Sequence, residues 1–178
     1  MQKTIFERII AREAPGSFIY EDDVVAVILT MGPVNPGHAM VIPKKPFVGL
    51  EDLDEETGAH IFRIAQRTAK AIRCSGLRCE GINLFLADGA AAFQEVDHFH
   101  LHVFPRFKGD PFRLSADWSN KPSRDELDRV ASQIKRAYDE LWKESRPNKP
   151  PPQTPDSGTP AANAPVALPP GAAGICRS

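Results

Sequence analysis

The segment Asp97-His-Phe-His-Leu-His-Val-Phe-Pro-Arg106 constrains the fold more than any other part of the chain, because imidazole and apolar side chains alternate along it. Successive side chains of an extended strand point to opposite faces, so His98, His100 and His102 share one face and Phe99, Leu101 and Val103 the other. The apolar face must pack on helices. Neighbouring imidazoles then stand about 6.6 Å apart, since each residue rises about 3.3 Å, and a row of that pitch surrounds one phosphate-sized group.

The rest of the chain supplies the elements such a strand needs. Ile5, Phe6, Ile9 and Ile10 form a helical stripe that Pro15 and Gly16 stop, which predicts a short helix within residues 2–13. Phe18–Tyr20 and Val24–Leu29 flank an acidic turn and read as a hairpin, and His38–Pro43 follows a loop rich in proline and glycine as a third strand. Asp54 is a candidate N-cap for an amphipathic helix that runs to Gly76. Gly81–Ala87 and Phe99–Phe107 are two further strands, antiparallel because the link between them is short. Ser123 and Glu126 have capping-box spacing. Behind them Leu127, Val130, Ile134, Tyr138, Leu141 and Trp142 keep the helical period, with the Tyr and Trp expected in a core. The fold class is α+β.

Composition narrows the function. The chain has 178 residues and a net charge of −1, without the basic surface that coating a nucleic acid requires. Its apolar runs fall far short of the roughly 20 residues that span a bilayer, and its start lacks the apolar stretch of a secretory signal, so a cytoplasmic protein is expected. Cys74, Cys79 and Cys176 are odd in number and lack zinc-knuckle spacing, which points to reduced thiols. Nine prolines fall within residues 147–178, a stretch too poor in large apolar groups to offset its ordering entropy. Residues 1–146 are therefore expected to form the folded body, and residues 147–178 a disordered tail.

Three imidazoles on one face suit phosphoryl chemistry. A neutral ring attacks phosphorus through one nitrogen while a hydrogen bond holds the other, and protonated neighbours stabilise charge on the oxygens. The same His-x-His spacing also fits a zinc or iron site, which would need a further carboxylate or histidine.

The sequence His98-Phe-His100-Leu-His102-Val-Phe resembles the signature of the histidine-triad (HIT) family of nucleotide hydrolases and transferases. The resemblance extends through Tyr20-Glu-Asp-Asp, Asn35-Pro-Gly-His38, Val41-Ile-Pro-Lys-Lys45 and Gln94-Glu-Val, and covers roughly residues 3 to 107 in order. It implies a five-stranded antiparallel sheet with flanking helices, and a homodimer whose sheets join. It also implies transfer of a nucleotidyl group to the middle histidine and then to water, with no cofactor and no required metal. By that resemblance His100 is the nucleophile, and His98 and His102 orient it and contact the α-phosphate. His38 completes the constellation, and Gln94 lies in a loop approaching the phosphates.

The chain also departs from the family pattern. Thr30 stands where an aspartate or asparagine often binds the ribose, Ala87 where an Asn or Gln is common, and Phe93 where a glycine often stands. Asn83, on the strand face of Ala87, is a candidate replacement for the missing polar group. Arg106 after Pro105 resembles members that hydrolyse dinucleoside polyphosphates. The expected activity is hydrolysis at the α-phosphate of a dinucleoside polyphosphate or, as a phosphoramidase, of a nucleoside phosphoramidate. Two alternatives stand beside it: a nucleotide-binding sensor or adaptor with little turnover, and a histidine-metal hydrolase.

Overall fold

Five strands, β1 (Phe18–Glu21), β2 (Val25–Leu29), β3 (Ala39–Pro43), β4 (Gly81–Phe85) and β5 (Leu101–Arg106), pair antiparallel in the order β1-β2-β3-β5-β4. The structure is a computed structural model that describes residues 2–143. Those residues divide into two units, 2–113 and 114–143. The tail expected at 147–178 and Cys176 lie outside the described residues.

The first unit holds the sheet and two helices, α1 (Ile5–Ile10) and α2 (Glu55–Cys74). The inner strands are apolar at nearly every position because both faces are covered. Val25 and Val27 of β2 and Ala39 and Val41 of β3 pack on Ile61, Ile64 and Ala65 of α2. The intervening side chains, Ile28, Met40 and Ile42, turn to the other face and pack on Phe6 and Ile9 of α1. Phe99 and Val103 join the α2 side, as the alternation around them requires.

Asp54 caps α2 by accepting the Thr57 amide at 2.8 Å. The acidic turn between β1 and β2 closes on one carboxylate: Asp22 accepts from the Val24 and Val25 amides, from the Tyr20 hydroxyl and from His60 Nε2 of α2, at 2.8–2.9 Å. Those donors hold the Asp22 carboxyl far below the usual carboxylate range, against the opposing effect of burial.

The second unit contains α3 (Arg124–Leu141), whose Ser123 N-cap accepts the Glu126 amide at 3.2 Å. The sequence places its apolar stripe in a core, and here the structure differs. Leu127, Val130, Ile134 and Leu141 are exposed, and Tyr138 and Trp142 stack on each other with centroids 4.7 Å apart. Helical periodicity specifies an apolar face but not what covers it. No described helix is long and apolar enough to cross a membrane.

Candidate active site

The backbone between Asp97 and Leu101 is not paired in the sheet, which β5 enters only at Leu101. His98 and His100 thus precede the strand that the alternation implies, and only His102 sits within it. The faces nonetheless separate as expected, with Phe99 turned to α2 and His100 and His102 to the α1 side.

His98 is fully buried, and both ring nitrogens are engaged: Nε2 with the Pro43 carbonyl at 2.8 Å, and Nδ1 with the Thr4 hydroxyl at 3.2 Å. A carbonyl only accepts, so Nε2 carries the proton and Nδ1 is the acceptor. Burial pushes the His98 ring below the ordinary histidine value, partly opposed by the Pro43 carbonyl and Glu7. Its ring does not line the cleft, so the expected contact with an α-phosphate does not fit this placement. The backbone of His98 is what serves the site.

His100 Nδ1 donates to the His98 carbonyl at 2.8 Å, which leaves the lone pair on Nε2. No buried side-chain nitrogen or oxygen among the described residues lacks a partner, so the unbonded Nε2 is open to the cleft that His100 lines. Phe6 of α1 packs over this ring with centroids 4.9 Å apart.

His102 is set by a relay from outside the cleft. The Val34 amide donates to His38 Nδ1 at 3.2 Å, so His38 carries its proton on Nε2 and donates it to His102 Nδ1 at 2.9 Å. His102 therefore presents Nε2–H to the cleft. Burial pushes both His38 and His102 down to about 4, so both rings are neutral at pH 7. The groups set around His100 thus include neutral donors rather than the cations that the sequence suggests.

The loop before His38 is fixed for this purpose. Asn35 is buried, and its amide donates to the Pro105 carbonyl at 2.8 Å and to Asp110 at 3.0 Å. Gly37 has φ +92°, a left-handed backbone that strains any L side chain, and a Cβ there would also lie 2.8 Å from the tip of the Leu77 side chain. Asp110, buried and paired with Arg106, completes the anchor. This use of Arg106 is structural.

A cleft of about 690 Å³ opens between α1, the ends of β2 and β4, and the triad segment, a size suited to a small ligand. Its apolar wall is Ile5, Phe6, Ile9 and Ile28; Thr30, Ala87 and Phe93 line it together with His100 and His102. The remaining expected residues lie elsewhere. Gln94 is spent on the backbone: its carbonyl accepts the Gly89 amide at 2.7 Å, and its amide donates to the carbonyls of Val48 and Val96 at 2.7 and 3.0 Å. Asn83 accepts from Arg106 and is not among the cleft residues. His38 is an orienting group behind the cleft, not a lining one. Lys44 pairs with Glu21 and Lys45 lies over the Phe47 ring, so both are engaged at the surface.

Sequence reasoning missed Thr4, although Thr4-Ile-Phe-Glu7 has capping-box spacing that could have found it. It also missed the Val34 amide and Asp110, for which the sequence carries no comparable signal. Among the described residues no group of three or more His, Cys, Asp or Glu side chains converges to hold a metal ion.

Known proteins share the sequence pattern and the fold of this chain. The HIT domain family matches residues 11–109. A HIT-like protein of uncharacterised function from Borreliella burgdorferi is 39% identical over 113 residues, covering 63% of this chain and 81% of its own. Adenylylsulfatase HINT3 of Arabidopsis thaliana is 34% identical over 131 residues, 73% of this chain and 64% of its own. The crystal structure of a HIT family protein from Bacillus anthracis superimposes with a TM-score of 0.70 at 33% identity, covering 76% of this chain and 97% of that one.

Proposed function

The chain belongs to the HIT domain family, and from that membership we propose that it is a nucleotide hydrolase working through a nucleotidyl group carried on His100. The observation that carries this reading is the hydrogen bond from His100 Nδ1 to the His98 carbonyl, because it engages that nitrogen and leaves Nε2 facing the cleft. In the proposed reaction Nε2 attacks the α-phosphorus, and the bond from phosphorus to the leaving oxygen or nitrogen breaks. The leaving group takes a proton from solvent. The ring becomes cationic with Nδ1–H still donating to the His98 carbonyl, which stabilises that charge. His102 Nε2–H donates to a non-bridging phosphoryl oxygen. Water then attacks phosphorus and gives up a proton to solvent, the P–Nε2 bond breaks with its electron pair returning to Nε2, and His100 regains its neutral form with release of a nucleoside monophosphate.

The substrate is proposed to be a dinucleoside polyphosphate or a nucleoside phosphoramidate, with the nucleoside against Ile5, Phe6, Ile9 and Ile28 and its ribose near Thr30. An adenylylsulfate, the compound class in the name of the Arabidopsis relative, presents the same α-phosphorus and belongs in the same panel. The reading includes a homodimer whose sheets join; β4 is an outer strand of the sheet and exposes Leu84 and Phe85.

The test is turnover of that panel by the wild type and by His100→Ala, with and without chelator, plus acid-free trapping of a covalent adduct. Loss of at least about 1,000-fold in kcat with an unchanged thermal midpoint is expected for a nucleophile. Substantial activity in folded His100→Ala would overturn the assignment, and loss of wild-type activity on chelation would turn it toward metal chemistry.

A further inference from the structure

Thr4 is hydrogen-bonded both to α1 and to the triad. Its oxygen accepts the Glu7 amide at 3.2 Å as the N-cap of α1, while Glu7 returns the contact to the Thr4 amide at 2.7 Å. The same oxygen lies 3.2 Å from His98 Nδ1. Donor and acceptor roles follow without choice. The Pro43 carbonyl takes the His98 Nε2 proton, so Nδ1 accepts, and the hydrogen bonded to it can only be that of the Thr4 hydroxyl.

We propose that Thr4 is a positioning residue of the site: its hydroxyl holds His98 in the neutral Nε2–H form and so fixes the carbonyl to which the His100 nucleophile is bonded. This rests on the reading of His100 as nucleophile. His98 sits in a closed slot, with the Phe6 ring edge-on at 5.8 Å, Pro43 of β3 on one nitrogen and Thr4 on the other. Were Nδ1 to gain a proton, Thr4 would have to turn its hydrogen away and accept from Nδ1 beside the Glu7 amide it already accepts. The charged or titratable groups facing His98 are Glu7 from α1, which favours its protonation, and His100 from its own segment, which opposes it. Burial and His100 favour the neutral ring against that carboxylate, and the hydroxyl donated to Nδ1 acts in the same direction. A displacement of His98 would be transmitted to His100 through one peptide carbonyl, and misplacement of a reacting group by about 1 Å costs up to about 100-fold in rate.

Helix capping alone does not explain the residue. Asp and Ser cap a helix at least as well as Thr, but a carboxylate has no proton to give His98. That difference separates the two roles of Thr4. Thr4→Asp keeps the cap and removes the donor; Thr4→Ser keeps both.

The experiment compares wild type, Thr4→Ser and Thr4→Asp by thermal unfolding, by kcat and KM across pH on whichever panel substrate the wild type turns over, and by nitrogen NMR of the ring of His98. Thr4→Ser is expected to stay within about threefold of wild type in kcat. Thr4→Asp is expected to keep its thermal midpoint and KM, to lose about 10- to 100-fold in kcat, and to move the acid limb of kcat to higher pH, because a second carboxylate beside His98 favours the imidazolium. The NMR signal of His98 should be the Nε2–H form in wild type and Thr4→Ser, and doubly protonated near neutral pH in Thr4→Asp. Equal kcat and pH profiles in wild type and Thr4→Asp would overturn the proposal, as would a Thr4→Ser variant as impaired as Thr4→Asp. If the wild type turns over nothing, the hydrolase reading fails while the NMR comparison still decides Thr4: an identical His98 tautomer and titration in all three proteins overturns its role.

Discussion

Phe93 combines two costs at one position: a backbone at φ 67° and an aromatic ring that is 82% exposed. The left-handed conformation costs an L-residue roughly 1–2 kcal/mol, while glycine adopts it without that penalty. Little packing is lost when so exposed a ring is removed. Phe93→Gly is therefore expected to stabilise the fold by roughly 0.5–1 kcal/mol, net of the extra chain entropy of glycine, raising the thermal midpoint by about 2–4 °C. A lower midpoint would show that the ring is held by contacts stronger than its exposure suggests. At this scale the sequence was legible where spacing carries the chemistry. The row His98, His100, His102 leads to the proposed nucleophile, and Thr30, Ala87 and Phe93 do line the cleft. It was not legible where a role depends on which nitrogen or oxygen is already bonded. His98, His38, Asn83 and Gln94 are polar residues near the site, yet none lines the cleft, their hydrogen bonds being spent on Pro43 and Thr4, on Val34 and His102, on Arg106, and on Gly89, Val48 and Val96.

At the scale of elements, order and type followed from periodicity and punctuation: α1, the β1–β2 hairpin, β3, α2 with its Asp54 cap, and β4 all fall where apolar period and stop signals meet. The start of β5 does not, because alternation continues through His98 and His100 while ladder pairing begins only at Leu101. Nor does the environment of α3, whose stripe is clear and whose side chains are exposed. One short feature ties two elements together more tightly than its sequence suggests. Asp22, in the turn between β1 and β2, accepts four hydrogen bonds, one of them from His60 of α2. Asp22→Ala removes the acceptor and leaves two turn amides dependent on water, with an expected loss of about 2–3 kcal/mol in urea unfolding. Asp22→Asn keeps the oxygen facing those amides and should lose less than half as much. Equal losses would mean that the charge and the His60 contact, not the turn amides, carry the stabilisation.

At the scale of the whole molecule, the pair that prepares the cleft also sets how the fold responds to acid. His38 and His102 are lowered by burial to about 4 in the folded chain, against about 6.5 for an unperturbed histidine, and His98 is lowered in the same direction. Between those two values the unfolded chain binds more protons than the folded one, so stability rises with pH there. The contribution is fully present above about pH 6.5 and is lost progressively as pH falls toward about 4. A tenfold difference in proton affinity between the folded and unfolded chain corresponds to about 1.4 kcal/mol. Because His38 and His102 share one hydrogen bond, a combined loss of roughly 3 kcal/mol is expected rather than twice that. The carboxylates Asp22 and Asp110 are held well below their usual range, so their own loss begins near the unfolded carboxylate value of about 4 and contributes little above pH 4.5. Urea midpoints measured between pH 7.5 and pH 4.5 should therefore fall steadily. His38→Asn removes one titrating ring and leaves His102 without its donor, so the variant is expected to be less stable at pH 7.5 but to show a shallower decline with acid. A wild-type midpoint that stays flat from pH 7 to pH 5 would mean that these rings take up protons as readily in the fold as in the unfolded chain. The neutral relay that presents His102 Nε2–H to the cleft would then be lost below about pH 6.5, and the proposed contact to the phosphoryl oxygen would rest on a different protonation state.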